Sequence, residues 1–319
     1  MTGRSPISTF NVADWTPQQL LERKGSHRIS MCIPCRDEVA TIGPIVAAVR
    51  RRLVDDWPVL DELIVLDDRS TDDTATVAAD AGATVVSIED VHQRHGVGHG
   101  KGNALWASLV ASHGDLVVWC DGDVTSFTPS WVVHLLAPLL IDDDLALVKA
   151  MYHRPTAAGG GGRTTELVAR PLLSLFAPEL AALAQPLSGE FAARRAMIER
   201  VGFVEGWGVE IAMLLDLAML YGPASIAQVD LGERHHRHRS LHSLSVQAAE
   251  VMATALTRFG GTSFDAVPVL TRADGSIVPL NLAERPPLRP VDLPMATRAG
   301  HELAIPAIKT HTAPRPASR

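Results

Sequence analysis

Asp115-Leu-Val-Val-Trp-Cys-Asp121-Gly-Asp123 reads as a short buried strand that ends in two carboxylates one residue apart. A strand ending this way can press a hard divalent cation against a diphosphate. Such cations take oxygen ligands, and Mg²⁺ commonly binds through one or two carboxylates plus substrate phosphates. Two acids near a turn are also ordinary in a solvated loop, so the pair gains meaning only from its surroundings.

Those surroundings alternate. Strands are predicted at residues 28–34, 62–67, 84–88, 116–120 and 145–151, and helices at 41–53, 72–81, 102–113 and 129–141. Ile42, Ile45, Val46 and Val49 carry the helical period of the first helix, and Ser70 or Thr71 is the expected N-cap of the second. Strands alternating with helices imply an α/β fold with a mainly parallel sheet covered on both faces. Ligands of such sheets bind at the carboxyl ends of the strands. Here those ends carry Pro34-Cys-Arg-Asp-Glu38, Asp67-Asp68 and Asp121-Gly-Asp123, so three polar clusters fall on one edge.

The 319 residues are enough for a large core, and 46% are apolar, as in an ordinary soluble protein. A net charge of -7 argues against a nucleic-acid binder. No apolar run is long enough for a membrane span, and the lack of an export signal points to the cytoplasm. The odd count of 3 cysteines argues against a disulfide scaffold. Cys32 and Cys35 form Cys-x-x-Cys, but within an apolar strand, whereas a redox pair should open a helix. A zinc site would need the histidine cluster around His236 as a second ligand pair.

Residues 1–25 read as a polar extension with a short helix near 16–24. A 26–151 half precedes a 152–240 region, a 241–290 helical region and a 291–319 tail expected to be disordered. Gly159–Gly162, followed by Arg163, reads either as a flexible loop or as a clamp whose amides and guanidinium hold an anion. Helices are expected near 165–176, 208–220 and 245–259. Glu210, in the first turn of the second, suits the helix dipole and also places an acid at the rim of the cleft. The run Asp230-Leu-Gly-Glu-Arg-His-His-Arg-His-Arg239 is either a solvated basic surface or a source of cations and a metal ligand.

Asp37-Glu38, Asp67-Asp68-Arg-Ser70-Thr-Asp72-Asp73-Thr, Gly100-Lys101-Gly102 and Asp121-Gly-Asp123 together resemble the GT-A glycosyltransferases. Gly-Gly-Gly-Arg163-Thr-Thr165-Glu-Leu-Val-Ala-Arg-Pro, Gln-Pro-Leu-Ser-Gly-Glu190, Gly206-Trp-Gly-Val-Glu210-Ile and Ala227-Gln-Val-Asp-Leu-Gly-Glu-Arg234-His-His236-Arg narrow the resemblance. The closer similarity is to the retaining glucosyl-3-phosphoglycerate synthase family of actinobacteria and its mannosyl relatives. The resemblance implies a Rossmann-like GT-A fold and transfer of glucose from a nucleoside diphosphate sugar, foremost UDP-glucose, to 3-phosphoglycerate with retention.

Position by position, it implies that Pro34, Cys35, Arg36, Asp37, Glu38 and Asp68 cradle the nucleotide. Asp121 and Gly122 contact it, and Lys101 and Arg234 face the sugar diphosphate. Asp123 and His236 hold Mg²⁺ or Mn²⁺. Trp207, Gly208, Val209 and Glu210 surround the transferred sugar, with Glu210 and Asp123 as the catalytic candidates. Gly162, Arg163, Thr164 and Thr165 bind the acceptor. Two positions depart from the family pattern. Asp68 stands where it has serine, and His238 where it has an acceptor-binding asparagine. A homodimer through the C-terminal helices is also implied. Open alternatives are a GDP-linked donor such as GDP-mannose or GDP-glucose, another small acidic acceptor, or a non-catalytic nucleotide-binding module.

Overall fold

Successive side chains of a strand point to opposite faces, and the apolar run that forms β2 (Ile29–Cys35) divides accordingly. Met31, Ile33 and Cys35 join one buried layer with Ile42, Val46 and Val49, while Cys32 joins the other with Leu105 and Leu109. Strands buried on both faces need no polar alternation, which explains their near-continuous apolar sequence. The computed structural model describes residues 7–153, 162–235, 240–260, 263–264 and 266–289. The expected 291–319 tail, His236 and His238 lie outside the described residues.

The strands are β1 (Ser8–Phe10), β2, β3 (Glu62–Asp67), β4 (Thr84–Ser87), β5 (Leu116–Trp119), β6 (Leu147–His153), β7 (Phe191–Arg194), β8 (Phe203–Val204), β9 (Ile226–Glu233), β10 (Val269–Thr271), β11 (Ile277–Pro279) and β12 (Glu284–Arg285). The helices are α1 (Pro17–Lys24), α2 (Val39–Arg50), α3 (Thr74–Asp80), α4 (Ile88–His95), α5 (Lys101–Ala111), α6 (Pro129–Ile141), α7 (Arg170–Phe176), α8 (Arg195–Ile198), α9 (Val209–Tyr221) and α10 (Leu241–Arg258). Eight strands form one sheet in the order β1-β9-β6-β7-β5-β2-β3-β4, parallel except for β7, which runs antiparallel to β5 and β6. The β10–β11 and β8–β12 pairs are separate antiparallel ribbons. No helix among the described residues is long and apolar enough to cross a membrane.

The expected GT-A-like architecture is present, with local corrections. Within the expected 1–25 extension, residues 7–25 are built into the fold. β1 closes one sheet edge against β9, and α1 packs on α6 with Leu20 fully buried. Thr16 and Gln19 form a capping box with Pro17 at the first helical position, so α1 is locally well specified. The expected boundary at 151/152 falls inside β6. α3 starts later than expected because Ser70 and Thr71 do not cap it. Ser70 Oγ accepts from the Asp37 amide, and Thr71 donates to the Asp37 carboxylate. α10 begins earlier than expected because the Ser240 side chain accepts from Ser243 N.

β2, β3 and β5 lie side by side and parallel, with Cys35 opposite Asp67 and Cys32 opposite Trp119. The three polar clusters therefore emerge on one edge, as the alternating pattern requires. The same register removes the redox reading. Cys32 and Cys35 join opposite core layers, both thiols are free, and burial pushes the Cys32 thiol up to about 12.

α5 reaches the active edge through a close approach at Gly102. A Cβ built there would lie 1.8 Å from the Val204 carbonyl oxygen, which is backbone and cannot swing away. Gly102→Ala is expected to destabilise the fold by about 1–3 kcal/mol through overpacking, read as a lower urea midpoint at an unchanged denaturant slope.

Candidate active site

The strand ends open into a cavity of about 440 Å³. Its lining includes Pro34, Cys35, Arg36, Glu38 and Asp68, then Gly100, Lys101, Ala104, Asp121, Gly122, Asp123 and Arg234, and also Gly162, Arg163, Thr164, Thr165 and the aromatic Trp207.

A row of alternating charges runs beneath this cavity. Lys101, at the start of α5, places its ammonium 3.2 Å from Asp121 Oδ1 and 2.8 Å from Glu210 Oε1. Burial opposes the charge on Lys101, but the Asp121 and Glu210 carboxylates outweigh it and hold its pKa above the ordinary value. Arg234, just past β9, approaches Asp121 Oδ2 at 2.9 Å, Glu190 Oε1 at 2.8 Å and Asp123 Oδ1 at 3.7 Å. Asp121 is thus gripped by cations from two distant parts of the chain. Gly189 allows this arrangement, since a Cβ there would lie 2.3 Å from both Asp121 oxygens.

Glu210 is correctly placed in the first turn of α9 but is not at the rim. It is 4% exposed, lies behind Lys101 and does not line the cavity. Gly208 and Val209 also lie behind the surface, Val209 in the core and Gly208 pressed against Thr254. Asp37 does not line the cavity either. Its Oδ1 accepts from Thr71 N at 2.7 Å and from Thr71 Oγ1 at 3.1 Å, tying the turns after β2 and β3 together. Asp37 and the neighbouring Arg69 both hold positive φ, 57° and 59°, a backbone region that non-glycine residues seldom occupy. Asp68 lines the cavity and accepts two hydrogen bonds from the Arg69 guanidinium.

A divalent cation fits the donor set. Asp121 and Asp123 supply hard carboxylate oxygens at a strand end, in a site where four carboxylates surround Lys101 and Arg234. Among the described residues no group of three such ligands converges. His235, the neighbour of His236, donates its amide to Ser126 Oγ at 3.0 Å and accepts from Thr125 N at 3.3 Å. The chain thus runs past the turn that follows Asp123 immediately before His236.

Ala104, Tyr152, Leu244 and Gln247 line the cavity and escaped the sequence reading. Gly100, Leu187 and Gly189 line it too and sit in quoted motifs, Gly100-Lys101-Gly102 and Gln-Pro-Leu-Ser-Gly-Glu190, but no role had been attached to them. Lys149, a lysine inside an apolar strand, was the other available signal. It is 1% exposed, donates to the Ser188 carbonyl and stands 4.9 Å from the Phe191 ring centroid.

Burial lowers the Lys149 pKa from 10.5 to about 8, with Glu210 opposing and Lys101 adding to the fall. Between these values the unfolded chain keeps a proton that the folded chain has lost, so stability rises with pH. The contribution is present above the unfolded pKa and is lost as pH falls through the folded one. Relative to Lys149→Met, the wild-type chain should gain up to about 3 kcal/mol on going from the lower to the upper end of that window. Urea unfolding of both proteins at each end checks this, and a flat difference refutes it.

The Glycosyl transferase family 2 profile matches residues 30–202. The glucosyl-3-phosphoglycerate synthase of Mycolicibacterium paratuberculosis is 42% identical over 300 residues, covering 89% of this chain and 90% of its own. A crystal structure of glucosyl-3-phosphoglycerate synthase from Mycobacterium tuberculosis, in complex with Mn²⁺, UDP-glucose and phosphoglyceric acid, superposes with a TM-score of 0.82 at 41% identity. It covers 89% of this chain and 99% of that one. A second structure of that enzyme, with Mg²⁺ and UDP, gives a TM-score of 0.80 at 41% identity, covering 88% and 98%. With the strand-end acids, the paired cations and the sheet order already in place, the chain belongs to the glucosyl-3-phosphoglycerate synthase family of glycosyltransferases.

Proposed function

We propose that this chain transfers glucose from UDP-glucose to 3-phosphoglycerate, with retention at the anomeric carbon, giving glucosyl-3-phosphoglycerate. The observation that carries the reading is the convergence of Asp121, Asp123, Lys101 and Arg234 on one cavity that the Gly162–Thr165 segment also lines. The relatives support the same donor and acceptor, since the mycobacterial enzyme was crystallised with UDP-glucose and phosphoglyceric acid.

Breaking a sugar–diphosphate bond places negative charge on the departing diphosphate. Mg²⁺ or Mn²⁺ held by Asp123 and His236 would supply Lewis-acid stabilisation of that charge. Lys101 and Arg234 add fixed positive charge beside it, already oriented by Glu210, Asp121 and Glu190, so little reorganisation is needed as charge develops. Glu210 acts through Lys101 in this arrangement. Its burial and its 2.8 Å contact to that ammonium favour an orienting role over nucleophilic attack. Pro34, Cys35, Arg36, Glu38 and Asp68 would hold the nucleoside, and Trp207 would close over the sugar. Arg163, which can bind a carboxylate or phosphate bidentately, would hold the acceptor with Thr164, Thr165 and the Gly162 backbone. His238 would complete that acceptor subsite. The reading extends to a cytoplasmic homodimer, and exposed Leu241 and Met252 on α10 support a contact through that helix.

The deciding experiment is a nucleotide-release assay with UDP-glucose, GDP-glucose or GDP-mannose, each with and without 3-phosphoglycerate, in Mg²⁺ or EDTA. Release that requires UDP-glucose, acceptor and metal together is expected; release indifferent to 3-phosphoglycerate overturns the acceptor. Asp123→Ala should abolish turnover while leaving the circular dichroism spectrum unchanged. Arg163→Ala should raise the acceptor KM by about tenfold or more, the scale of one lost charge-assisted hydrogen bond, with the donor KM little changed. Equal effects on both substrates would remove the loop from the acceptor subsite.

A further inference from the structure

The segment around β12 lies beyond the 30–202 family match, yet it is fastened to both loops that deliver Lys101 and Trp207 to the cavity. Glu205 joins the two loops. Its backbone oxygen accepts from Gly102 N at 2.7 Å and Asn103 N at 3.2 Å, and its Oε2 accepts from His99 N at 3.0 Å. Glu205 N donates to Ala283 O at 2.7 Å, and Asn281 Nδ2 donates to His99 O at 2.9 Å. The C-terminal segment therefore touches the Lys101 loop directly and again through Glu205.

Two buried charges secure this assembly. Arg285 donates to Asn103 Oδ1 at 2.7 Å, His95 O at 3.1 Å and Gly96 O at 2.8 Å. It lies 3.4 Å from Glu205 Oε1, with its guanidinium 5.0 Å from the Trp106 ring centroid. Glu250 of α10 accepts from Trp207 N at 2.8 Å through Oε2 and from Asn281 N at 2.9 Å through Oε1. It is 4% exposed, and Gly206 leaves room for it, since a Cβ there would lie 2.3 Å from Glu250 Oε2. One carboxylate thus couples the aromatic wall of the sugar subsite to the C-terminal segment. Part-buried amides at both ends donate to this side chain, so its loss removes an acceptor at two places.

We infer that Glu250 and Arg285 are positioning residues for the sugar end of the site, fixing Trp207 and Lys101 from a C-terminal brace while leaving the nucleoside end untouched. The inference rests on the transferase reading of the cavity. Neither residue touches substrate in this scheme; each acts on a loop that does. The nucleoside end, around residues 34–38 and Asp68, is held instead by the turns after β2 and β3.

Glu250→Gln keeps the volume but turns an amide NH₂ toward one of two N–H donors. Arg285→Lys keeps the charge but lacks the fork that reaches three acceptors. In the full-length chain with Mn²⁺, each variant should lose about tenfold or more in kcat/KM for UDP-glucose, while affinity for UDP alone, whose diphosphate Lys101 also faces, falls by clearly less. Unchanged kinetics in the folded variants, or equal losses for UDP and UDP-glucose, overturn the inference. Should Glu250→Gln fail to fold, Arg285→Lys carries the same test. If the wild-type chain does not turn over UDP-glucose, the transferase reading fails separately. Hydrogen exchange then decides on the brace: faster exchange at the Trp207 amide in Glu250→Gln supports it, and an unchanged rate there refutes it.

Discussion

Asp121 is held between Lys101 and Arg234, and the order of the site depends on that grip. Behind Lys101 stands Glu210, and behind Arg234 stands Glu190, so five side chains form a row of alternating sign. Buried ion pairs add little net stability, because desolvation offsets their attraction, but removing one member strands its partner at a cost of about 3–5 kcal/mol. Such a row contributes geometry more than stability. It leaves each carboxylate and cation with one low-energy place to stand before substrate arrives. The parallel sheet makes this possible by bringing the ends of β2, β3 and β5 to one edge, while β9 returns from far along the chain to add Arg234.

Much of this was legible in the sequence. The central strands are continuous apolar runs ending in acids, and neither feature needs tertiary context to be seen. β3 has its expected limits, and β2 and β5 differ from theirs by one residue. β1, β7 and β9 were not recognised. β1 and β7 are only three and four residues long, whereas the apolar–polar alternation over Ala227–Leu231 in β9 was a readable strand signal. The charged residues divide in the same way. Acids at strand ends announce themselves, whereas Glu190, Glu250 and Arg285 acquire meaning only from partners dozens to nearly two hundred positions away. Glu210 marks the boundary. Its importance was readable, but its depth beneath Lys101 was not.

Two parts of the cavity are built differently. Around residues 34–38 and Asp68 the backbone carries strain at Asp37 and Arg69, and that strain is held by Thr71 and Asp68 across two adjacent turns. Outlying backbone angles of this kind persist where surrounding contacts over-determine them, and they cluster at ligand clamps. Around Lys101 and Trp207 the backbone is held by buried side-chain carboxylates and a guanidinium contributed from later in the chain. One part is stiff through local turn geometry, the other through long-range polar contacts.

The three-residue strand β1 pairs with β9 along Ser8, Thr9 and Phe10, and Gln228 Nε2 donates to Thr9 Oγ1. β9 is the strand that leads into Arg234. A recombinant version trimmed of its first dozen residues would uncover a raw sheet margin of unpaired amides and carbonyls, the kind of surface that recruits strands from other molecules. Fusion partners and affinity handles are therefore safer placed beyond the opposite terminus, where they leave that seam intact.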